Sequence, residues 1–413
     1  QACKYARTLT RQTNTTNISE TMDKVWDPCY EAINVANAAI KFIPDISMAA
    51  ERSKQLIGEA KFFRASNYFY LVKTFGGVPL VTEPYLKLKD VTPKRTTVEP
   101  IYELIESDLK EAMDALPAKT FEENGHRITK YIAAMTLTSV YMQEGKYKEA
   151  ADCAKVVIDS PHALTLNSDL DKNSAFNKLR TTDDLPEVIY SQEYDNTINN
   201  AGWWPTYAFN GAAVSVFKTY SIFERVFGPS MQYLNVYESG DLRVQPNQFF
   251  HWKYTNPNTG AVWEARNPDG TLADPGCWYY YEENALLTTG KATKDWNFYR
   301  YAEALLDGAE SIAQSQGVTQ DAAKSLAEIK ARANTAGKTA DQFTTELALL
   351  SKDDFIKECW KERLREFPLE FKIWDDCIRT RMFPVISKTV AGKVDFVPLI
   401  GAQNASGATF KES

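Results

Sequence analysis

Histidine is scarce: three residues in 413 leave little material for a zinc site or for a Ser/His or Cys/His nucleophilic pair. The six cysteines (Cys3, Cys29, Cys153, Cys277, Cys359 and Cys377) are scattered, with no C-x-x-C pair and no histidine nearby. Cys29, Cys153, Cys359 and Cys377 fall within apolar-periodic stretches and read as small buried hydrophobes, with a disulfide left open. No apolar run approaches the roughly 20 residues that a membrane-spanning helix needs. No Lys/Arg run forms a nucleic-acid footprint, and 47 basic against 54 acidic residues give a net charge of −7, so no nucleic-acid partner is expected. P-loop, His-Glu-x-x-His and G-x-S-x-G signatures are also missing. The opening residues Gln1 to Tyr5 carry no basic and apolar leader, so the chain reads as starting inside a mature protein. Cys3 lacks the apolar run that precedes a lipidation site and reads as an ordinary cysteine.

Helical periodicity is plentiful. Apolar positions Val25, Tyr30, Ile33, Ala36, Ile40 and Ile43 predict a helix over 22–43, stopped by Pro44. A second is expected over 51–75, with Leu56, Ala60, Phe63, Asn67, Tyr70 and Val72 near one side and Gly76-Gly77 as its stop. A third runs over 99–117. Residues 128–160 follow the tetratricopeptide spacing, with Gly145 at the turn, Tyr141 and Tyr147 as wedges, and Ala150 allowing close approach. Helix returns over 297–315, 320–334 and 352–381. Between 165 and 295 the texture is short β-like runs, Gly, Pro and Asn, with a concentration of Trp and Tyr; so long an irregular excursion is usually functional. The expected fold is mainly α: helical hairpins in 1–165 and 296–413 with a loop-rich insertion, 166–295, carrying short β-strands.

Four segments resemble the SusD/RagB family. They are Gly58 to Val72 with Phe75-Gly76-Gly77-Val78-Pro79-Leu80; Tyr233-Leu234, Tyr237, Asp241 and Arg243; Phe298 to Leu306; and Glu362-Arg363-Leu364-Arg365-Glu366-Phe367 with Trp374-Asp375. They occur in the family's order, although Lys372 and Asp376 stand where it often has Arg and Leu. The resemblance implies a tetratricopeptide-type scaffold, a ligand-binding region from the middle of the chain and no catalysis. It also implies a SusC/RagA-like TonB-dependent transporter as partner, at the extracellular face of the outer membrane. The family's lipidated N-terminal cysteine and its C-terminal Pro-Ile-Pro and Gln-Asn-Pro-Gly segment are not seen, so truncated ends and a lipid anchor outside this chain are expected. Ala60, Phe63 and Tyr70 read as packing residues, and Glu362, Arg363 and Glu366 as helix-surface or partly buried ion pairs.

The middle region offers Trp203, Trp204, Tyr207, Asn210, Trp252, Trp278, Tyr279 and Tyr280 as candidate ligand contacts, with Asn256, Asn258 and Arg266 as hydrogen-bonding neighbours. Aromatic faces suit a sugar ring's C–H surface or a peptide's apolar side chains, so oligosaccharide and oligopeptide both stay open. The competing reading of each ring is core filler beneath long loops. Side chains alternate along an extended strand, so one ring of each adjacent pair is expected at the surface. Two other functions fit less well: a helical glycoside hydrolase, whose two carboxylates leave no local signature, and a tetratricopeptide scaffold binding proteins on its concave face. No cofactor is implied; structural calcium stays open, because scattered oxygens hold it without a motif.

Overall fold

The computed structural model describes residues 15–86, 93–195, 202–208, 213, 215–217, 228–271, 273–288, 290–404 and 407–411. The chain divides into two compact units, Gln1–His162 and Ala163–Ser413. Among the described residues no helix is long and apolar enough to cross a membrane.

In the first unit α1 (Thr15–Phe42), α2 (Ala50–Phe75), α3 (Val98–Ala115), α4 (Lys130–Glu144) and α5 (Tyr147–Ile158) each pack on the next in chain order. This is the hairpin arrangement expected from the periodicity. Gly145 closes α4 in the left-handed region, with φ of 72°. That conformation lets α5 turn back and bury Ala150 and Ala154. Helix α2 lies against both α1 and α3, so it buries two stripes: Gly58, Phe62, Ala65, Phe69 and Val72 on one, Ala60, Arg64, Tyr68 and Leu71 on the other. At Gly58 a Cβ would stand 2.8 Å from that of Ala115, so the absent side chain lets α2 and α3 touch. Phe63 and Tyr70 are 42% and 50% exposed, contrary to their reading as packing residues. The single-stripe reading failed because a helix with two buried faces leaves its apparent heptad in the gap between them.

Two polar devices lock this unit. Arg64 is buried and donates Nε and Nη2 to the Asp108 carboxylate at 2.7 and 2.8 Å, and Nη1 to Asn37 Oδ1 at 2.9 Å, so α1, α2 and α3 share one satisfied ion pair. The Tyr68 hydroxyl donates to the Val81 carbonyl at 2.8 Å and accepts from the Val81 N–H at 2.7 Å, pinning the extended segment after Gly76-Gly77. Replacing Tyr68 by phenylalanine removes both bonds and should cost about 1–2 kcal/mol in denaturant unfolding. An unchanged midpoint would show that Val81 is pinned by other contacts.

The second unit mixes helices with two-stranded antiparallel pairs. Helix α6 (Ala175–Thr181) precedes β1 (Val188–Gln192), which pairs with β6 (Trp296–Arg300). Between them lie α7 (Trp204–Ala208), β2 (Phe250–His251), β3 (Lys253–Thr255), β4 (Val262–Glu264), β5 (Gly276–Cys277) and α8 (Glu283–Leu287). Then come α9 (Tyr301–Gln316), α10 (Gln320–Ala333), α11 (Ala340–Leu347), α12 (Lys352–Glu366), α13 (Ile373–Thr380) and a hairpin, β7 (Met382–Ile386) with β8 (Val394–Pro398). Helix α9 packs on α10 and α12, and α10 on α11. Two expectations are corrected. The helix predicted from 297 begins at Tyr301, because Trp296-Asn297-Phe298-Tyr299 is aromatic-rich and pairs as a strand. The single helix over 352–381 breaks at Phe367, where Pro368 excludes helical backbone before it. Among the described residues Cys29, Cys153, Cys359 and Cys377 form no disulfide.

Beneath β6 three of the four family-like segments, those around Arg243, Arg300 and Glu366, meet in a buried ion network. Arg300 reaches Glu187 at 2.5 Å, Glu366 at 3.1 Å and Glu370 at 2.7 Å. Arg332 bridges Glu187 at 2.6 Å and Glu366 at 2.5 Å. Arg243 joins Asp241 at 2.7 Å, Glu362 at 2.8 Å and Glu366 at 3.0 Å. Arg363 pairs with Asp307 and with Asp376, and Arg379 with Glu310 at 2.6 Å. Glu362, Arg363 and Glu366 are therefore fully buried rather than at the helix surface. Lys372 and Asp376, the two departures from the family pattern, are used here as well: Lys372 contacts Glu303 at 3.0 Å and Asp376 contacts Arg379 at 2.9 Å.

Candidate functional site

Strand β6 carries the network at one end and a candidate site at the other. Arg300 lies opposite Val188 and points inward; Trp296 lies opposite Gln192 and is half-buried. The Trp296 indole stacks on Trp204, with ring centres 4.4 Å apart and planes 28° from parallel. Tyr280 lies nearly parallel to both, 5.7 Å from Trp296 and 5.9 Å from Trp204. Phe371 leans on both indoles at 5.6 and 5.8 Å and is 55% exposed. Its φ of 57° is a left-handed conformation that a bulky side chain rarely takes, so the surroundings impose it. They are identifiable: Glu370 is held on Arg300, and the Tyr280 hydroxyl donates to the Leu369 carbonyl. The ion network, through Glu370, and the Tyr280 hydroxyl together hold the segment that leads into Phe371.

Trp204, Trp296 and Tyr280 border a narrow crevice with a cavity volume of about 30 Å³, among side chains that include Arg180, Tyr279, Glu282, Lys294, Asp295 and Asn297. Most of its charges are engaged. Glu282 accepts from the Thr293 N–H at 2.9 Å and from the Lys294 N–H at 3.3 Å, Lys294 pairs with Asp183 at 2.6 Å, and Glu370 is taken by Arg300. Asp295 accepts from the Tyr194 N–H at 2.8 Å. Burial, then the neighbouring Asp183 and Glu193, push its carboxyl up to about 6. A carboxylate raised in the fold opposes folding once it must ionise, so this loss of stability grows from its ordinary value near 3.8 and is complete above about 6. Asp295→Asn should therefore raise the melting temperature at pH 7.5 and leave it unchanged at pH 3.5; an equal rise at both would remove ionisation as the cause.

The predicted residues divide. Trp204, Tyr279 and Tyr280 line the crevice. Trp203 is half-buried beneath the Lys291 ammonium, 5.2 Å from its ring centre. Trp278 stacks on Tyr281 at 4.2 Å and donates Nε1 to Asn177 at 2.8 Å. Tyr207 is half-buried on α7, and Asn210 lies outside the described residues. Trp252 is only 6% exposed and packs in the core with Phe249, Phe250 and Tyr237, so its faces are covered by protein. Asn256 donates to the Val216 carbonyl and accepts from the N–H groups of Asn258 and Thr259, shaping its own turn, and Arg266 holds Glu264 and the Gly270 carbonyl. Strand alternation does not operate at these rings, because Trp204 begins a helix and Trp278 to Tyr280 form a 3₁₀ turn. Trp296, Phe371, Arg180 and Asp295 were missed. The available signal was Trp296 itself, a tryptophan opening an aromatic strand. Among the described residues no three His, Cys, Asp or Glu side chains are grouped to hold a metal ion.

The comparisons agree with this architecture. Residues 2–142 match a SusD-like family model described as starch-binding and associating with the outer membrane, and residues 278–397 match that of the SusD family. A SusD-like protein P2 from Formosa agariphila is 24% identical over 364 residues, spanning 86% of this chain and 71% of that protein. The crystal structure of a SusD superfamily protein from Parabacteroides distasonis superposes with a TM-score of 0.79 at 22% identity, covering 94% of this chain and 80% of that one. Surface glycan-binding protein A from Bacteroides uniformis gives 0.65 at 21%, covering 86% and 73%. With family models matched toward both ends of the chain and a SusD-superfamily fold over 94% of it, this protein belongs to the SusD/RagB family.

Proposed function

We propose that this protein captures an oligosaccharide without transforming it and passes it to a SusC/RagA-like TonB-dependent transporter. It works at the extracellular face of the outer membrane, held there by a lipid anchor. The observation that carries the reading is the stacked wall of Trp204, Trp296 and Tyr280 with Phe371 standing out beside it. The half-buried indoles of Trp204 and Trp296 and the exposed Phe371, backed by the buried Tyr280, offer ring surface to the C–H face of a pyranose, and the polar groups around the crevice supply directional hydrogen bonds to hydroxyls. A starch-binding family description and a glycan-binding structural neighbour favour glycan over peptide. Binding rather than hydrolysis is favoured because Glu282 and Glu370 are already hydrogen-bonded or ion-paired, whereas a glycosidase needs two carboxyls free to face the scissile bond. In this reading the cargo contacts both proteins, so the transporter complex binds it more tightly than this chain does alone.

The test incubates the protein with neutral and acidic oligosaccharides and with oligopeptides, following heat and products together. Saturable heat from an oligosaccharide with no new reducing ends is the expected result. Preference for peptides would replace the cargo, and turnover abolished by a single Asp or Glu substitution would replace the function with hydrolysis.

A further inference from the structure

Among the charged side chains at the crevice, Arg180 stands apart. The arginines of the buried network in this unit each meet at least one carboxylate, and Lys294 meets Asp183. Arg180 donates Nε to Asn177 Oδ1 at 3.2 Å and Nη1 to the Tyr281 carbonyl at 2.8 Å, both neutral acceptors. Its guanidinium carbon lies 4.7 Å from the Trp278 ring centre and 5.8 Å from that of Tyr281, two rings stacked on each other. Asn177 also accepts from Trp278 Nε1, so acceptor and ring are braced together. The side chain is clamped in place. Among the described residues its Nη2 has no acceptor and no carboxylate comes within ion-pair distance.

Burial lowers this guanidinium only to about 10, so it stays charged at any physiological pH. Glu282 and Glu283 lie near enough to favour that charge without pairing with it, and Glu282 is already taken by Thr293 and Lys294. A partly buried cation held by ring faces and neutral acceptors, with donors left over, is a half-built anion site: the strong partner of a guanidinium is a planar or tetrahedral oxyanion. Asp295 at the same crevice opposes a dense run of negative charge but accepts hydroxyl hydrogens. We propose that the glycan bound here carries an anionic substituent, a uronate carboxylate or a sulfate ester, and that Arg180 is the residue that reads it. This rests on the glycan reading above and names the class within it.

The experiment prints an array of oligosaccharides in matched pairs, each uronate-containing member beside its carboxyl-reduced form and each sulfated member beside its desulfated form. The whole chain is applied as wild type, Arg180→Gln and Arg180→Lys. Acidic members should be preferred by roughly tenfold or more, with the preference abolished in R180Q and only partly kept in R180K, whose ammonium keeps the charge without the planar fork. The carboxyl-reduced and desulfated arms separate the two oxyanions. Should R180Q melt early, R180K and the weakening of wild-type binding by sodium chloride carry the same test. Equal binding of both members of every pair, or a preference that survives in R180Q, overturns the assignment while leaving glycan capture standing. Silence across the whole array overturns both.

Discussion

Glu366→Ala should lower the stability of the 163–413 unit by about 3–5 kcal/mol, a fall in melting temperature of roughly 10 °C or more. Glu366 is wholly buried and joins three guanidiniums, those of Arg243, Arg300 and Arg332. Removing it takes one carboxylate from each: Arg243 keeps Asp241 and Glu362, Arg300 keeps Glu187 and Glu370, and Arg332 keeps only Glu187, so the buried cluster gains an uncompensated positive charge out of reach of water. Glu366→Gln should be almost as damaging, because it keeps the shape but loses the charge and turns one of the two accepting oxygens into an NH2 group that faces a guanidinium; a mild glutamine variant would show that packing rather than ion pairing holds this core. The network also sets the response to acid. Burial alone would raise Glu362, but Arg243, Lys330 and Arg365 outweigh it and hold the carboxyl at about 2, and Glu187 and Asp376 are likewise lowered against burial by their arginines. Carboxyls depressed in the fold stabilise it fully above their ordinary values near 4, and that contribution is lost as pH falls toward 2. Glu370 and Asp307 move the opposite way, because burial wins there, so the network's part of the acid limb comes from Glu362, Glu187, Asp376 and Glu358, the last lowered by Lys330 and Arg365 against burial.

Trp296→Ala should weaken oligosaccharide binding by roughly thirtyfold, the effect of truncating a central aromatic anchor worth about 2 kcal/mol. The indole is stacked on Trp204, near parallel to Tyr280 and within reach of Phe371, so alanine empties the middle of the wall. Phe371→Asn separates binding from folding. Asparagine tolerates the left-handed backbone at φ 57° better than phenylalanine, so stability should hold or rise slightly while affinity falls. A variant that binds normally would place the ligand away from this edge; one that unfolds would make Phe371 a packing residue despite its exposure. Titration calorimetry paired with thermal melting distinguishes these results.

The helical frame was legible because its signals are local. Apolar spacing, Pro44, Gly76-Gly77 and Gly145 mark helices and stops within a few residues, and the structure follows them closely in the first unit. Where a helix is buried on two sides, as α2 is, periodicity loses its single stripe and Phe63 and Tyr70 are misplaced. The candidate site was legible in part. Aromatic density pointed to the region of Trp204, Tyr279 and Tyr280, but it marks rings without saying which faces stay uncovered, and it brought in Trp252, a core residue. The rest is assembled at long range. Trp296 meets Trp204 across 92 positions and Phe371 joins them from 75 further on, contacts set by the pairing of β1 with β6 and by Glu370 on Arg300. The buried role of the charged motifs was hidden for a similar reason: residues three and four apart on α12 look like surface pairs until their distant partners Arg243, Arg300, Asp307 and Arg332 are known.

The most direct measurement is the crystal structure of the full chain soaked with the oligosaccharide that binds most tightly. The account predicts an intact sugar ring lying on the Trp204 and Trp296 wall beside Phe371, with the Glu366 network unmoved beneath it. Cleaved sugar held between two carboxyls, or intact sugar bound with this wall left bare, would contradict it.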